Sequence, residues 1–201
     1  GDAIMAFWGA PLDDPDQAYK AVTVAIRMQE AMTKLRDELV ADGLPAIHMR
    51  VGLNTGEAAV GNMGSDQRLA STAIGDAVNL AARLEGINKL YGTNIICSEV
   101  TANMVKDRVP LRMLDKVKVA GKSEPVTIYT PSRGTEAEAK AEAALGLYLK
   151  RDFAASRALW DELLAANPED KTAKVFIERI EGFATTPPPP DWDGSSTLEK
   201  F

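Results

Sequence analysis

The stretch that decides the fold reads Ser71-Thr72-Ala73-Ile74-Gly75-Asp76-Ala77-Val78-Asn79-Leu80-Ala81-Ala82-Arg83-Leu84-Glu85. It has the pattern of a strand that ends in a glycine turn and leads into a helix. Asn79 and Arg83 lie four residues apart, so in a helix they share one face and reach toward the same point. An amide and a guanidinium that converge beside a strand end suit a phosphate ester in reaction.

Composition excludes some classes of protein before any motif is considered. The chain has 201 residues, of which 45% are hydrophobic and 26% are charged, which is typical of a soluble globular protein with one core and an appendage. The formal net charge of −6 argues against a nucleic-acid surface, because such surfaces need clustered Lys and Arg. We therefore expect no nucleic-acid partner, whereas a nucleotide pocket needs only a few local cations.

The rarest side chains exclude two further kinds of site. Cys97 is the single cysteine, so the chain forms no internal disulfide, and its apolar neighbours favour a small core residue over a nucleophile. His48 is the single histidine and lies on the polar phase of a predicted strand. Zinc chemistry and a Ser-His-Asp arrangement therefore have no support in this sequence.

Apolar periodicity predicts an α+β fold over the first two thirds of the chain. Residues 3–8 are predicted as a buried strand, and Asp14 is predicted to cap a long helix that ends near Gly43. Further elements are predicted in this order: strands at 47–53 and 58–60, a helix at about 76–90, a strand at about 94–97, a short helix opened by Ser98, and strands at about 111–119 and 126–130.

The composition changes after Pro131, where Ala, Glu, Leu and Lys predict about three helices through Phe183. Four prolines, residues 187–190, then precede the short motif Asp191-Trp192-Asp193-Gly194, to which the sequence assigns no role. We accordingly divide the chain into a first domain at 1–131, a helical tail at 132–184 and a flexible C-terminus at 185–201.

Five ordered blocks carry a resemblance to a known family. The blocks are Gly1 to Pro11, Val51 to Glu57, Val60 to Ser65, Thr72 to Glu85, and Gly121 to Tyr129. Together they strongly resemble the catalytic domain of class III nucleotidyl cyclases, with the strongest likeness to bacterial adenylate cyclases. The resemblance covers roughly residues 1–130, and its order and spacing make chance agreement very unlikely.

The resemblance implies a ferredoxin-like cyclase sandwich that is incomplete at its amino end. The chain begins inside the domain, so the strand with the family's first metal carboxylate and the hairpin with its base-reading Lys are expected upstream. The tail resembles one tetratricopeptide-type unit, which cannot bury its own face. The residues that carry this second likeness are Leu145-Gly146-Leu147-Tyr148, Asp152-Phe153, Ala158, Trp160 and Pro168.

The resemblance also implies a reaction, the conversion of ATP to cyclic AMP and pyrophosphate with two Mg²⁺ or Mn²⁺ ions at each site. Asp2 matches the second metal carboxylate, Arg83 the transition-state arginine, and Asn79 the residue that orients the ribose. Taken alone, each of these residues has an ordinary structural interpretation. Asp2 is then a solvated turn residue, Arg83 a solvated helix residue and Asn79 a tolerated helical Asn, and it is the flanking blocks that favour the functional interpretation.

Two further positions concern substrate binding. Thr72 matches the residue that contacts the adenine amino group, although a hydroxyl both donates and accepts, and a β-branched strand residue explains Thr72 equally well. Ala120 stands where the family commonly has a Lys that contacts the terminal phosphates. Lys118 lies two residues earlier on the same strand face, roughly 7 Å away, and is our candidate for compensating this loss.

In the family each site is shared between two chains, so the resemblance implies a homodimer and an inactive lone fragment. Tails of this kind resemble those of bacterial cyclases with an upstream sensor and membrane helices. We therefore expect a cytoplasmic segment of a parent protein anchored in the inner membrane. A guanylate cyclase of the same fold and a catalytically degenerate regulatory module remain as alternatives.

Overall fold

The computed structural model describes residues 3–65, 68–119 and 124–198. Within these ranges, elements alternate in the mixed order of an α+β protein. In chain order they are α1 (Gln17–Ala41), β1 (Val51–Leu53), β2 (Ala59–Ser65), β3 (Arg68–Ile74), α2 (Asp76–Tyr91), β4 (Ile95–Ser98), α3 (Glu99–Val105), β5 (Leu111–Lys118), β6 (Val126–Pro131), α4 (Glu136–Leu149), α5 (Phe153–Ala166), α6 (Lys171–Thr185) and β7 (Ser196–Thr197).

Five of the strands form one mixed sheet in the order β1-β4-β6-β5-β7. The β1–β4 and β5–β7 pairs are parallel, and β6 runs antiparallel to both of its neighbours. A separate antiparallel hairpin, β2–β3, places Gly61 opposite Thr72. The hairpin leads into α2 through a single residue, Gly75, so the strand-turn-helix prediction for this stretch is confirmed.

One hydrophobic core joins the sheet to α2 and to the three tail helices. Leu84 of α2, Val117 of β5 and Phe176 of α6 are all fully buried in this single cluster. A second, smaller cluster forms where α1 meets the end of α3, around Val22 and Val105. The tail therefore buries its apolar face on the first part of the same chain.

A buried polar cluster fastens the last tail helix to the sheet. Arg179 donates to the Asp115 carboxylate at 2.6 Å and to the Tyr91 hydroxyl at 3.0 Å, and Tyr91 in turn donates to Asp115. Burial, and then the Asp115 carboxylate, raise the pKa of Tyr91 well above its usual value, so the hydroxyl stays a donor. Thr172 adds a hydrogen bond of 2.9 Å to the Tyr91 carbonyl. This Tyr91–Asp115–Arg179 cluster links α2, β5 and α6.

Two predictions near the amino end are wrong. The run 3–8 has no regular structure and Ile4 is 80% exposed, because none of the described strands pairs with it and apolar alternation without a hydrogen-bonded neighbour does not make a strand. Asp14 does not cap α1, which begins at Gln17. Instead its carboxylate accepts from the Asp16 amide at 3.0 Å and pairs with Lys20 at 2.7 Å, so it closes the turn before the helix.

The C-terminal segment, expected to be flexible, makes specific contacts in the structure. Arg151 donates to the carbonyl oxygens of Pro188, Pro189 and Pro190 at 2.6 to 3.1 Å, and residues 196–197 form β7. Proline has no amide donor, but its carbonyl oxygen remains a strong acceptor. The several N–H donors of one guanidinium can therefore bind consecutive prolines through their carbonyl oxygens. The three predicted tail helices are present, while their tetratricopeptide likeness and the domain bounds at 131 and 184 stay predictions.

No helix within the described residues is long and apolar enough to cross a membrane.

Replacement of Arg179 by Met tests the importance of the Tyr91–Asp115–Arg179 cluster. Asp115 is fully buried and the Arg179 side chain is 16% exposed, so the variant leaves an uncompensated buried carboxylate. We expect a loss of about 3–5 kcal/mol in the free energy of unfolding, measured by urea denaturation. Arg157→Met is the control, because it removes two more exposed ion pairs, with Asp161 and with Glu181, and should cost about 1 kcal/mol or less. Equal losses in the two variants would contradict this role.

Candidate active site

The turn between β3 and α2 fixes where the predicted site residues lie. Gly75 has φ of +154°, a region that side chains with a Cβ rarely adopt, and a Cβ there would lie 3.2 Å from the Glu57 carbonyl oxygen. The strand thus passes directly into the helix. Thr72 lies three residues before the turn, near the end of β3, and Asn79 lies four residues after it, in the first turns of α2.

The helix that carries Asn79 and Arg83 lies directly on β1. A Cβ built at Gly52 would overlap the Ala81 carbonyl oxygen and the Glu85 amide nitrogen, so only glycine allows this approach. Asn88, fully buried, donates to the Val51 carbonyl at 3.0 Å and accepts from the Thr93 hydroxyl at 2.8 Å. The position of α2 relative to the sheet is therefore set by steric contact and by buried hydrogen bonds.

A second amide holds the first turn of α2. Asn54 follows β1, and its amide nitrogen donates to the Ala77 carbonyl at 3.0 Å. Its oxygen accepts from the Ser98 hydroxyl at 2.6 Å, and the same hydroxyl accepts from the Thr101 amide as the cap of α3. In the sequence analysis, Asn54 falls within the block Val51 to Glu57 without a role of its own, and Asn88 is not singled out. A lone Asn on the apolar face of a helix was the available signal for the latter.

Among the site residues that the sequence predicted, Arg83 has the surroundings that best suit contact with an anion. It is half-buried, and its Nη1 is buried without a hydrogen-bond partner among the described residues. An unpaired buried guanidinium nitrogen is costly, and an incoming anion would satisfy it. Asn79, one turn earlier, is exposed. The helix thus presents an exposed amide one turn from a guanidinium that has one unsatisfied nitrogen.

Thr72 and Lys118 occupy different places. Thr72 is half-buried and lies on the opposite strand face from Ala73, which is buried. Lys118 is exposed at the end of β5, whereas α2 lies over β1 and β4. Within the described ranges, no hydrogen bond joins Lys118 to Asn79 or Arg83. Asn79 and Arg83 therefore share α2, Thr72 lies in the hairpin that leads into this helix, and Lys118 lies on β5, which β4 and β6 separate from β1.

Two residues that the sequence singled out, Asp2 and Ala120, lie outside the described residues. Within 3–65, 68–119 and 124–198 there is no group of three acidic, His or Cys side chains that could hold a metal ion. Cys97 is buried, and burial raises the pKa of its thiol to about 12, so the thiol stays protonated and is not a nucleophile. His48 is exposed, but the strand predicted over 47–53 is wrong at its start, because β1 begins at Val51 and His48 lies before it.

These features agree with a family comparison. The family described as adenylate and guanylate cyclase catalytic domain matches residues 1–131. The chain belongs to this family, and its α+β architecture is that of the cyclase catalytic domains.

Individual relatives point in the same direction. The chain is 40% identical to "Adenylate cyclase 1" of Rhizobium meliloti (strain 1021) and 42% identical to "Adenylate cyclase" of Anabaena cylindrica, in each case over 64% of the chain. It spans only 19% and 26% of the length of these two proteins.

Two solved structures of this fold are also similar. The adenylyl cyclase CyaB from P. aeruginosa is 34% identical with a TM-score of 0.57, and the guanylyl cyclase Cya2 is 32% identical with a TM-score of 0.54. Each comparison covers 64% of this chain and 66% of the other. The neighbours therefore include enzymes named for either nucleotide.

Two glycines test the close approach of α2 to β1. We expect Gly52→Ala to lower the free energy of unfolding by several kcal/mol, about 3 or more, because the new methyl group meets α2 backbone. Gly86→Ala is the matched control, since Gly86 lies within α2 and its Cβ would meet open space. This change should stabilise the protein by about 0.5–1 kcal/mol in urea denaturation. An unchanged free energy of unfolding in Gly52→Ala would show that direct backbone contact at Gly52 does not position α2.

Proposed function

We propose that the protein is an adenylate cyclase that converts ATP to 3′,5′-cyclic AMP and pyrophosphate. The observation that carries the proposal is Arg83, half-buried with an unsatisfied guanidinium nitrogen, one helical turn from the exposed amide of Asn79. Membership of the cyclase family and relatives named adenylate cyclase support the same activity. Because the chain spans a small part of those relatives, the activity of the whole protein is part of the proposal.

The chemistry gives each residue a task. The ribose 3′ oxygen attacks the α-phosphorus, the bond from that phosphorus to the pyrophosphate oxygen breaks, and the proton of the 3′ hydroxyl passes to solvent water or to the departing pyrophosphate. Negative charge on the α-phosphate oxygens and the leaving oxygen must then be stabilised. The Arg83 guanidinium, always charged and with a fork of donors, suits those oxygens, and the Asn79 amide suits the ribose.

The reaction also implies divalent cations, Mg²⁺ or Mn²⁺, with two ions at each site. The described residues alone do not form a metal-binding cluster, so the fit depends on Asp2 and on the phosphates of the substrate. Bound there, the ions would supply charge neutralisation at the attacking and leaving oxygens. The described side chains therefore account for positioning and anion binding.

The preference for ATP rests on Thr72 and on the names of the relatives. Thr72 lies at the hairpin end nearest α2, where its hydroxyl can bond a base edge. One hydroxyl cannot distinguish an amino group from a carbonyl oxygen by itself. A guanylate cyclase is the second candidate, since Cya2, a guanylyl cyclase, matches this chain almost as well as the adenylyl enzyme does.

Lys118 and a second chain complete the proposal. Lys118 would contact the terminal phosphates in place of the Lys that Ala120 replaces. A homodimer would bring the metal carboxylate of one chain to the Asn79 and Arg83 of the other, so a lone fragment would be inactive. The parent protein would carry an upstream sensor and be anchored in the inner membrane, with this segment in the cytoplasm.

Replacement of Arg83 by Ala in the full-length protein tests the proposal. We expect turnover of ATP to fall on the order of 10³- to 10⁵-fold, by analogy with arginine fingers, while ATP still binds within a few-fold of wild-type affinity. Cyclic AMP formation and ATP affinity are measured on the same preparation.

Arg50→Ala is the matched control, because Arg50 also contacts α2, through an exposed pair with Glu85 at 2.8 Å. It should retain activity within a few-fold of wild type. Wild-type turnover in the Arg83 variant would remove this residue from the mechanism. If the wild-type protein forms a folded dimer and makes no cyclic nucleotide, the degenerate regulatory module replaces the enzyme.

Thr72→Val tests base recognition, because it removes the hydroxyl and keeps the shape. We expect kcat/KM for ATP to fall about fivefold, the worth of one neutral hydrogen bond, with ATP still preferred over GTP. The two cyclic products are measured side by side with each nucleotide supplied in turn. If the ratio of cyclic AMP to cyclic GMP and the rate of ATP turnover are both unchanged, Thr72 is only a structural residue of the strand.

A further inference from the structure

The motif Asp191-Trp192-Asp193-Gly194 gains a role from its position. It lies in a segment, residues 187–198, that runs from the end of the tail helices to the free edge of the sheet; we refer to this segment as the C-terminal arm. The arm ends in β7, which pairs with β5 in parallel, Val117 opposite Ser196 and Lys118 opposite Thr197. It therefore reaches the residue that the proposed function assigns to the terminal phosphates.

The β5–β7 pairing is important because the hydrogen-bonded register between β5 and β6 ends before Lys118. The β5–β6 register ends at Val117 opposite Val126, one residue before Lys118. Among the described strands, β7 is the one that pairs with Lys118, and the Leu198 amide donates to the Lys118 carbonyl at 3.1 Å. Leu198 is itself buried in the main core. The backbone of Lys118 is thus held by the arm and by no other described strand.

Trp192 anchors the middle of the arm in the tail. Its ring packs in an aromatic cluster with the rings of Tyr148 and Phe183, at centroid distances of 5.3 and 5.5 Å. Its indole nitrogen donates to the Ser195 carbonyl at 2.8 Å, which bends the chain after the motif. Gly194 has φ of +87°, and a Cβ there would lie 2.6 Å from the Leu149 side chain, so the bend requires glycine.

Asp193 connects the arm to β5 by charge. Its carboxylate pairs with Lys116 at 2.9 Å and accepts from the Ser195 amide at 3.0 Å, and its carbonyl accepts from the same lysine at 3.0 Å. The Ser195 hydroxyl, followed by Lys116, holds the pKa of Asp193 well below its usual range, so the group stays ionised. Lys116 lies two residues before Lys118. The pair therefore fixes the register in which β7 meets the end of β5.

We propose that the C-terminal arm is a positioning segment for substrate binding: Trp192 and Asp193 dock β7 on β5 and thereby hold Lys118 where it can contact the terminal phosphates of the nucleotide. This inference rests on the proposed function. Trp192 and Asp193 touch no substrate and act through Lys118. Because the terminal phosphates carry most of their charge already in the bound substrate and the new charge develops at the bond that breaks, loss of the arm should raise KM more than it lowers kcat.

Asp193→Asn and Asp191→Asn form a matched pair for the test. Both remove one charge from the same motif, but Asp191 is exposed and forms no ion pair with any described residue. In the full-length protein we expect Asp193→Asn to raise KM for ATP about fivefold with kcat within about twofold, and to speed exchange of the Leu198 amide proton about fivefold. Asp191→Asn should change neither. Combining Asp193→Lys with Lys116→Asp restores an ion pair with its charges exchanged, so the Leu198 amide proton should again exchange slowly.

Trp192→Ala is the stronger variant and should speed Leu198 exchange more than tenfold. Unchanged Leu198 exchange in Asp193→Asn would overturn the docking, and faster exchange with an unchanged KM would overturn the positioning of Lys118. If wild-type protein makes no cyclic nucleotide, the proposed function fails and the phosphate role of Lys118 fails with it. The exchange measurement in the same variants still decides whether the arm holds β5, so the two failures are distinguishable.

Discussion

The rest of the structure depends on the close approach of α2 to β1 at Gly52. Because no Cβ stands between them, the helix backbone lies directly on the strand, and Asn54 and Asn88 hold its two ends by side-chain hydrogen bonds. The amino-terminal half of α2 carries Asn79 and Arg83. Its last residue, Tyr91, belongs to the buried cluster that binds the tail. One helix thus connects the candidate site to the tail.

The buried ion pair of Asp115 and Arg179 adds specificity to this arrangement. An apolar contact of similar volume would stabilise the interface as well, whereas a buried carboxylate accepts only a partner that satisfies it. Arg179 in α6 supplies that partner and fixes the rotation of the helix against β5. The same strand bears Lys116 and Lys118 further along, where the C-terminal arm docks. The tail is therefore coupled to β5 at two separate points.

The sequence predicted the parts of the fold whose signals are local. The glycine turn before α2, the Ser98 cap of α3 and the three tail helices follow from turn chemistry and helical spacing. The strand at 3–8 and the cap at Asp14 were wrong, because strand pairing and hydrogen-bond geometry depend on neighbours that a local pattern does not contain. Arg151 against the proline carbonyls was unpredictable for the same reason, since these residues lie 37 to 39 positions apart.

For the candidate site, the sequence identified Asn79 and Arg83 through their helical spacing and the family resemblance. It could not reveal that Arg83 has an unsatisfied nitrogen, or that Asn54 and Asn88 hold α2, because burial and hydrogen bonding arise from tertiary packing. For Lys118, the alternation of side chains along a strand predicted its face but not its neighbouring strand. Alternation placed it on the same face as Ala120, but only the structure shows that β7 pairs with it.

The central claim is tested most directly by measuring cyclic AMP and pyrophosphate together as the full-length protein consumes ATP in the presence of Mg²⁺ or Mn²⁺. In-line attack of the 3′ oxygen on the α-phosphorus predicts the two products in equal amounts, with no ADP. Release of ADP and orthophosphate, or no turnover by a folded dimer, would contradict the account.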